Sequence, residues 1–79
     1  MTKTERYKCE KLMEEAILKA KQSEEEFEKA NDYNADGDER AEVEYRISDQ
    51  HYGEAVGINQ ALAVLGFKHE KMKELYDLL

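Results

Sequence analysis

The sequence predicts an all-α protein, an antiparallel two-helix, coiled-coil-like hairpin followed by a short C-terminal helix, and three observations carry that prediction. The chain has no proline and is rich in Glu, Lys, Ala and Leu, a helix-forming composition. Apolar and small residues recur at alternating steps of four and three along two long stretches, the spacing of a helical seam. Between those stretches lies NDYNADGD, whose Asn, Asp and Gly compete with helical hydrogen bonds or permit positive φ.

The first helix is expected over about 3–31. Thr2 and Glu5 have the T-x-x-E spacing of a capping box, with Thr4 as a rival cap. Its seam reads Cys9, Met13, Ala16, Ala20, Ser23, Phe27 and Ala30, widened by Leu12 and Ile17, and the small residues let a partner helix come close. A turn is expected over 32–37. The second helix, about 38–65, starts at Asp38, a capping residue, with Glu39 and Glu42 where the helix dipole favours acids. Its seam is Ala41, Tyr45, Ser48, Tyr52, Ala55, Asn59 and Leu62, matching the first in length and phase.

A short connection between equal helices makes them antiparallel, which places Gly57 and Ala61 towards Cys9, Met13 and Ala16. Gly66 followed by Phe67 supplies a left-handed stop and an apolar residue to fold back on the last turn. A third helix, about 68–79, carries Met72, Leu75, Tyr76 and Leu79 on one stripe and is expected to fold over the end of the second.

The stretch from His51 to Phe67 organises the rest, because between Ala55 and Leu65 apolar residues cover every face of the helix. Gly53, Gly57 and Ala61 add a row of small residues at steps of four, which lowers helix propensity by about 1 kcal/mol per glycine but permits close backbone approach. One short helix is too little to cover this segment. A homo-oligomer is therefore expected, with Gly53, Gly57, Ala61, Leu62, Leu65 and Phe67 and the mid-seam Ala16 and Ala20 as its packing residues.

At 79 residues the chain, 1–79, is one helical domain, and a domain of this size hides only about 60% of its unfolded surface. The lone Cys9 rules out a disulfide framework and reads as a small apolar residue in a reducing compartment. No secretory signal and no bilayer-length apolar run is present, so a cytoplasmic protein without membrane contact is expected. A net charge of −7, with the bases scattered among acids, argues against direct nucleic-acid binding. The same charge keeps a small helical protein soluble, and suits a basic partner, including one that itself holds nucleic acid.

Among chemical motifs, Asp32, Asn34, Asp36 and Gly37 read as the first half of a calcium loop, D-x-N-x-D-G, with Asp38 as a further oxygen donor. The second half departs: the position that should supply a bidentate glutamate is Val43, and the eighth position is Glu39. An Asn/Asp/Gly turn followed by a helix cap accounts for the same residues. His51, Glu54 and His69 lack the spacing of a metal cluster. No nucleophile has a base beside it and no phosphate loop occurs, so no cofactor and no enzymatic activity are expected. Tyr7, Tyr45 and Tyr52, with Asn59, are candidates for a partner- or ligand-binding face, or equally fillers of a partly wet seam.

Three functions remain: a protein-binding inhibitor or scaffold, an oligomer that sequesters a small ligand between subunits, and a calcium-dependent helix-loop-helix module. The general character, a very short, acidic, helical chain without catalytic apparatus, resembles the accessory proteins of phages and other mobile elements, some of which block host defence nucleases. That resemblance is compositional and rests on no single residue. It implies inhibition of a nucleic-acid-binding host protein.

Overall fold

A computed structural model describes all residues, 1–79, and contains three helices and no strand: α1 (Lys3–Ala35), α2 (Arg40–Val64) and α3 (Met72–Leu78). α1 and α2 form an antiparallel pair that sets the shape, a rod of 51 × 17 × 16 Å. The 33 residues of α1, at about 1.5 Å each, span that length unaided. No helix is long and apolar enough to cross a membrane.

α1 begins as the Thr2 spacing requires, with Glu5 N–H donating to Thr2 Oγ1 at 3.1 Å and the Thr2 N–H reaching Glu5 Oε1 at 3.3 Å. It ends four residues later than expected, at Ala35 rather than 31, so Asp32 and Asn34 are helical and the turn is confined to 36–39. The stop is Gly37, at φ 69°, where Gly37 N–H bonds to the Asn34 carbonyl and Asp38 N–H to that of Tyr33. The few tenths of a kcal/mol that Asn and Asp lack in helix propensity are outweighed by a closed backbone ladder and this cap. The Arg40 guanidinium, 4.5 Å from the Tyr33 ring centre, also holds the last turn of α1 against the start of α2.

α2 starts at Arg40, whose backbone N–H is accepted by the Asp38 carboxylate at 2.9 Å. The far end of α2 uses the same device as α1: Gly66 has φ 71°, and Phe67 N–H returns to the Leu62 carbonyl at 3.0 Å. Phe67 and Leu62 are both buried, the apolar contact that accompanies this kind of cap. α3 is shorter than expected, starting at Met72 rather than 68. His69 occupies the entry, its Nδ1 accepting the Lys71 N–H and its carbonyl the Met72 N–H. α3 packs mainly on α1 and leaves part of the apolar end of α2 bare.

Most of the α1 seam is buried as its spacing predicts: Cys9, Met13, Ala16, Ala20, Ser23 and Ala30, with Ile17 beside them. On α2, Ala41, Ser48, Ala55 and Leu62 are buried, whereas Tyr52 is 42% exposed and Phe27 on α1 50%. The two backbones come close at the paired serines. Ser23 Oγ–H donates to the Ser48 carbonyl at 2.8 Å and Ser48 Oγ–H to the Ser23 carbonyl at 2.7 Å, a reciprocal clasp between buried hydroxyls. Because the hydroxyls bond across the pair, they cross-link the helices in place of an apolar contact.

The core is uneven along the rod. All ten residues of the apolar cluster lie in the half holding the chain termini, with Met13, Leu62 and Leu75 filling its centre. Beyond Ser23, towards the turn, the buried residues are Ala30, Ala41 and Ser48. The turn-end half therefore buries little apolar surface per residue. Amide hydrogen exchange should register this as weaker protection for α1 after Glu26 and α2 before Tyr45 than for the segments around Met13 and Leu62; uniform protection would contradict it.

The two kinds of glycine give a second test. Gly66 needs positive φ, so Gly66→Ala should destabilise by about 1 kcal/mol. Gly53 is in mid-helix and a Cβ there meets nothing within 4 Å, so Gly53→Ala should stabilise by about 0.5–1 kcal/mol. Urea midpoints of the two variants should move in opposite directions.

Candidate interaction surfaces

Charge is divided along the rod. Residues 22–50 carry eleven acids against three bases, and the rest of the chain eight acids against nine bases. Because α1 runs out to the turn and α2 runs back, 22–50 is one physical end, the distal half, and it holds essentially the whole net charge. Glu24, Glu25, Glu28, Asp32, Glu39 and Glu42 are exposed there. Two acids are neutralised locally, Asp38 by Arg40 at 2.6 Å and Glu44 by Lys29 at 3.8 Å. The Arg40 side chain, hydrogen-bonded to Asp38, holds that carboxyl below its usual range.

Apolar groups stand among these carboxylates. Phe27 is 50% and Val43 53% exposed, and Phe27 meets Tyr45 edge to face with ring centres 5.5 Å apart. Tyr45 Oη–H donates to Asn31 Oδ1 at 2.5 Å, fixing the ring. Aromatic groups with few free rotations, set among charges, are the usual anchors of protein contacts. At the inner border of this half, Glu26 on α1 and His51 on α2 pair at 2.9 Å.

The proximal half presents a different surface. Leu12, Gly57, Ile58 and Ala61 line an open groove between α1 and α2, edged by Glu15, Lys19 and Glu54. Leu65 continues the α2 stripe at helical spacing and is 58% exposed; Val64, next to it, is 88% exposed. Lys19 and Glu54 form an ion pair across the helices. Their mutual hydrogen bond is the main cause of a raised lysine pKa and a lowered glutamate pKa.

The residues singled out in the sequence fall in several places. Ala16, Ala20, Leu62 and Phe67 are committed to the core of the chain itself, so they are not a free packing face. Gly53, Gly57 and Ala61 are exposed, and nothing else in the chain lies within 4 Å of a Cβ at either glycine, so the close packing expected of Gly57 on Cys9, Met13 and Ala16 is not made; Gly57 and Ala61 line the groove opposite Leu12 and Glu15. Ala55 and Leu62, half a helical turn round, face α1 instead. Asn59 is part-buried, and its Oδ1 is shut off from solvent without a partner.

The three tyrosines are spread along the rod. Tyr7 is exposed near the start of α1 with the Lys11 ammonium 5.3 Å from its ring centre, Tyr45 is in the distal half, and Tyr52 Oη–H donates to the Leu79 carbonyl at 2.9 Å. Asp32 and Asn34 lie within α1, Asp36 is its C-cap and Asp38 faces Arg40, so the four do not wrap a common point. No group of three His, Cys, Asp or Glu side chains is placed to hold a metal ion. The principal surface depressions are open to solvent.

The Lys19–Glu54 pair makes a pH test. A carboxylate with a lowered folded pKa contributes stability that is present above its unfolded pKa and is lost as pH falls through the folded value. The difference in melting temperature between wild type and Glu54→Gln should therefore be largest at neutral pH and vanish in acid; a pH-independent difference would contradict the assignment. Compared with known proteins, the chain matches no family model, no curated protein and no solved structure.

Proposed function

We propose that this chain is a non-enzymatic interaction protein that binds, and so inhibits or scaffolds, a basic protein, and that it self-associates. The observation that carries the proposal is the division of its surface, acids set round exposed Phe27 and Val43 on the distal half and a nearly neutral apolar flank on the proximal half. An excess of eight negative charges on a narrow rod end attracts a basic surface from a distance and raises the association rate. The aromatic and aliphatic groups among the acids supply contact area once it arrives. A protein that normally holds nucleic acid has such a basic surface, and competition for it would be inhibition. This is the role that the compositional likeness to accessory proteins of mobile elements implies.

The test is recovery of the tagged protein from its producing cells. A basic protein retained by wild type should be lost by a factor of about ten or more when Glu28 and Glu42 are both changed to Lys, since each reversal beside an interface removes an attraction and adds a repulsion. Retention unaffected by these changes would refute the distal surface. Native mass spectrometry of the same material separates the competing function: bare chains agree with protein binding, and a retained small molecule would replace it with ligand sequestration.

A further inference from the structure

Resting on the reading that the chain self-associates, we propose that the partner on the proximal flank is a second copy, placed antiparallel about a two-fold axis near Leu12, so that the two acidic ends point away from each other. The flank is apolar at its centre, with Leu12, Ile58 and Ala61 on the groove and exposed Leu65 beyond. A two-fold contact must be complementary to itself. The charges on α1 meet that condition: Lys8 lies four residues before Leu12 and Glu15 three residues after it, on the same helical stripe. Both are exposed, and neither forms an ion pair within the chain.

A two-fold axis through Leu12, perpendicular to the helices, lays each Lys8 over the Glu15 of the other copy and buries the apolar centre between them. The parallel alternative brings Lys8 beside Lys8 and stacks two distal halves, each with eleven acids against three bases, side by side. Like charges at that range repel, so electrostatics selects the antiparallel arrangement. The product is a longer rod with a binding surface at each end, and a partner that offers two basic sites gains from both at once.

Sedimentation measurements on charge variants test the register. Lys8→Glu should raise the dimer dissociation constant by about tenfold, since the symmetry loses two pairs and gains two repulsions. Adding Glu15→Lys should restore it. Both positions are exposed, and circular dichroism would confirm that the helices remain. A spin label at Glu39 gives the orientation: the end-to-end separation in the dimer should exceed the 51 Å length of one molecule. A stable oligomer insensitive to the swap, or labels closer than one molecular length, overturns this arrangement while leaving self-association intact. A monomer at all concentrations overturns both.

Discussion

The close approach of α1 and α2 along a seam of small residues is the constraint on which the rest of the molecule depends. Ala16, Ala20, Ser23 and Ala30 on one helix and Ala41, Ser48 and Ala55 on the other leave no side chain to hold the backbones apart. The two serines show how close the approach is, since each hydroxyl reaches the main-chain carbonyl of the opposite helix. Helices packed this tightly make a narrow rod, with no space between them for a pocket and with most long side chains directed outwards. A third helix is then needed only at the proximal end, where Met13, Ile17 and Leu62 are too large for two helices to cover.

Much of this was legible because a helix repeats. The four-and-three spacing located the seam of α1 from Cys9 to Ala30 with one exception, and the T-x-x-E and Gly-Phe signals located a beginning and an end. Where the structure departs from the spacing, the reasons are physical. Propensity ended α1 at Asn31, yet a helix stops where its last carbonyls find partners, and here that is Gly37. Phe27 and Tyr52 fit the seam spacing but are too bulky for a gap set by alanine and serine, so they turn to its edges.

The row of Gly53, Gly57 and Ala61 is small enough to allow approach, but nothing in the chain comes within 4 Å of a Cβ at either glycine, and Gly57 and Ala61 only line the open groove beside α1. Spacing alone identifies a stripe and does not say which neighbour it faces. The division of charge was present in the sequence as well, since residues 22–50 hold most of the acids, but it has spatial meaning only after the turn is placed at 36–39 and those residues become one end of a rod. The serine clasp left no separate signal, since serine on a seam reads simply as a small residue.

The uneven core also bears on how the chain reaches its fold. In a hairpin, contacts near the turn join residues close in sequence, and contacts near the base join residues far apart. Here the contacts near the turn are the weak ones, alanine against alanine, and the strong cluster joins Met13 to Leu62, Phe67 and Leu75, residues far along the chain. Zipping from the turn therefore gains little free energy at each step, and the chain must close its largest loop before its principal stabilisation appears. A helical protein of this size ordinarily folds through local contacts; this one is organised so that the closing of its two ends sets the pace.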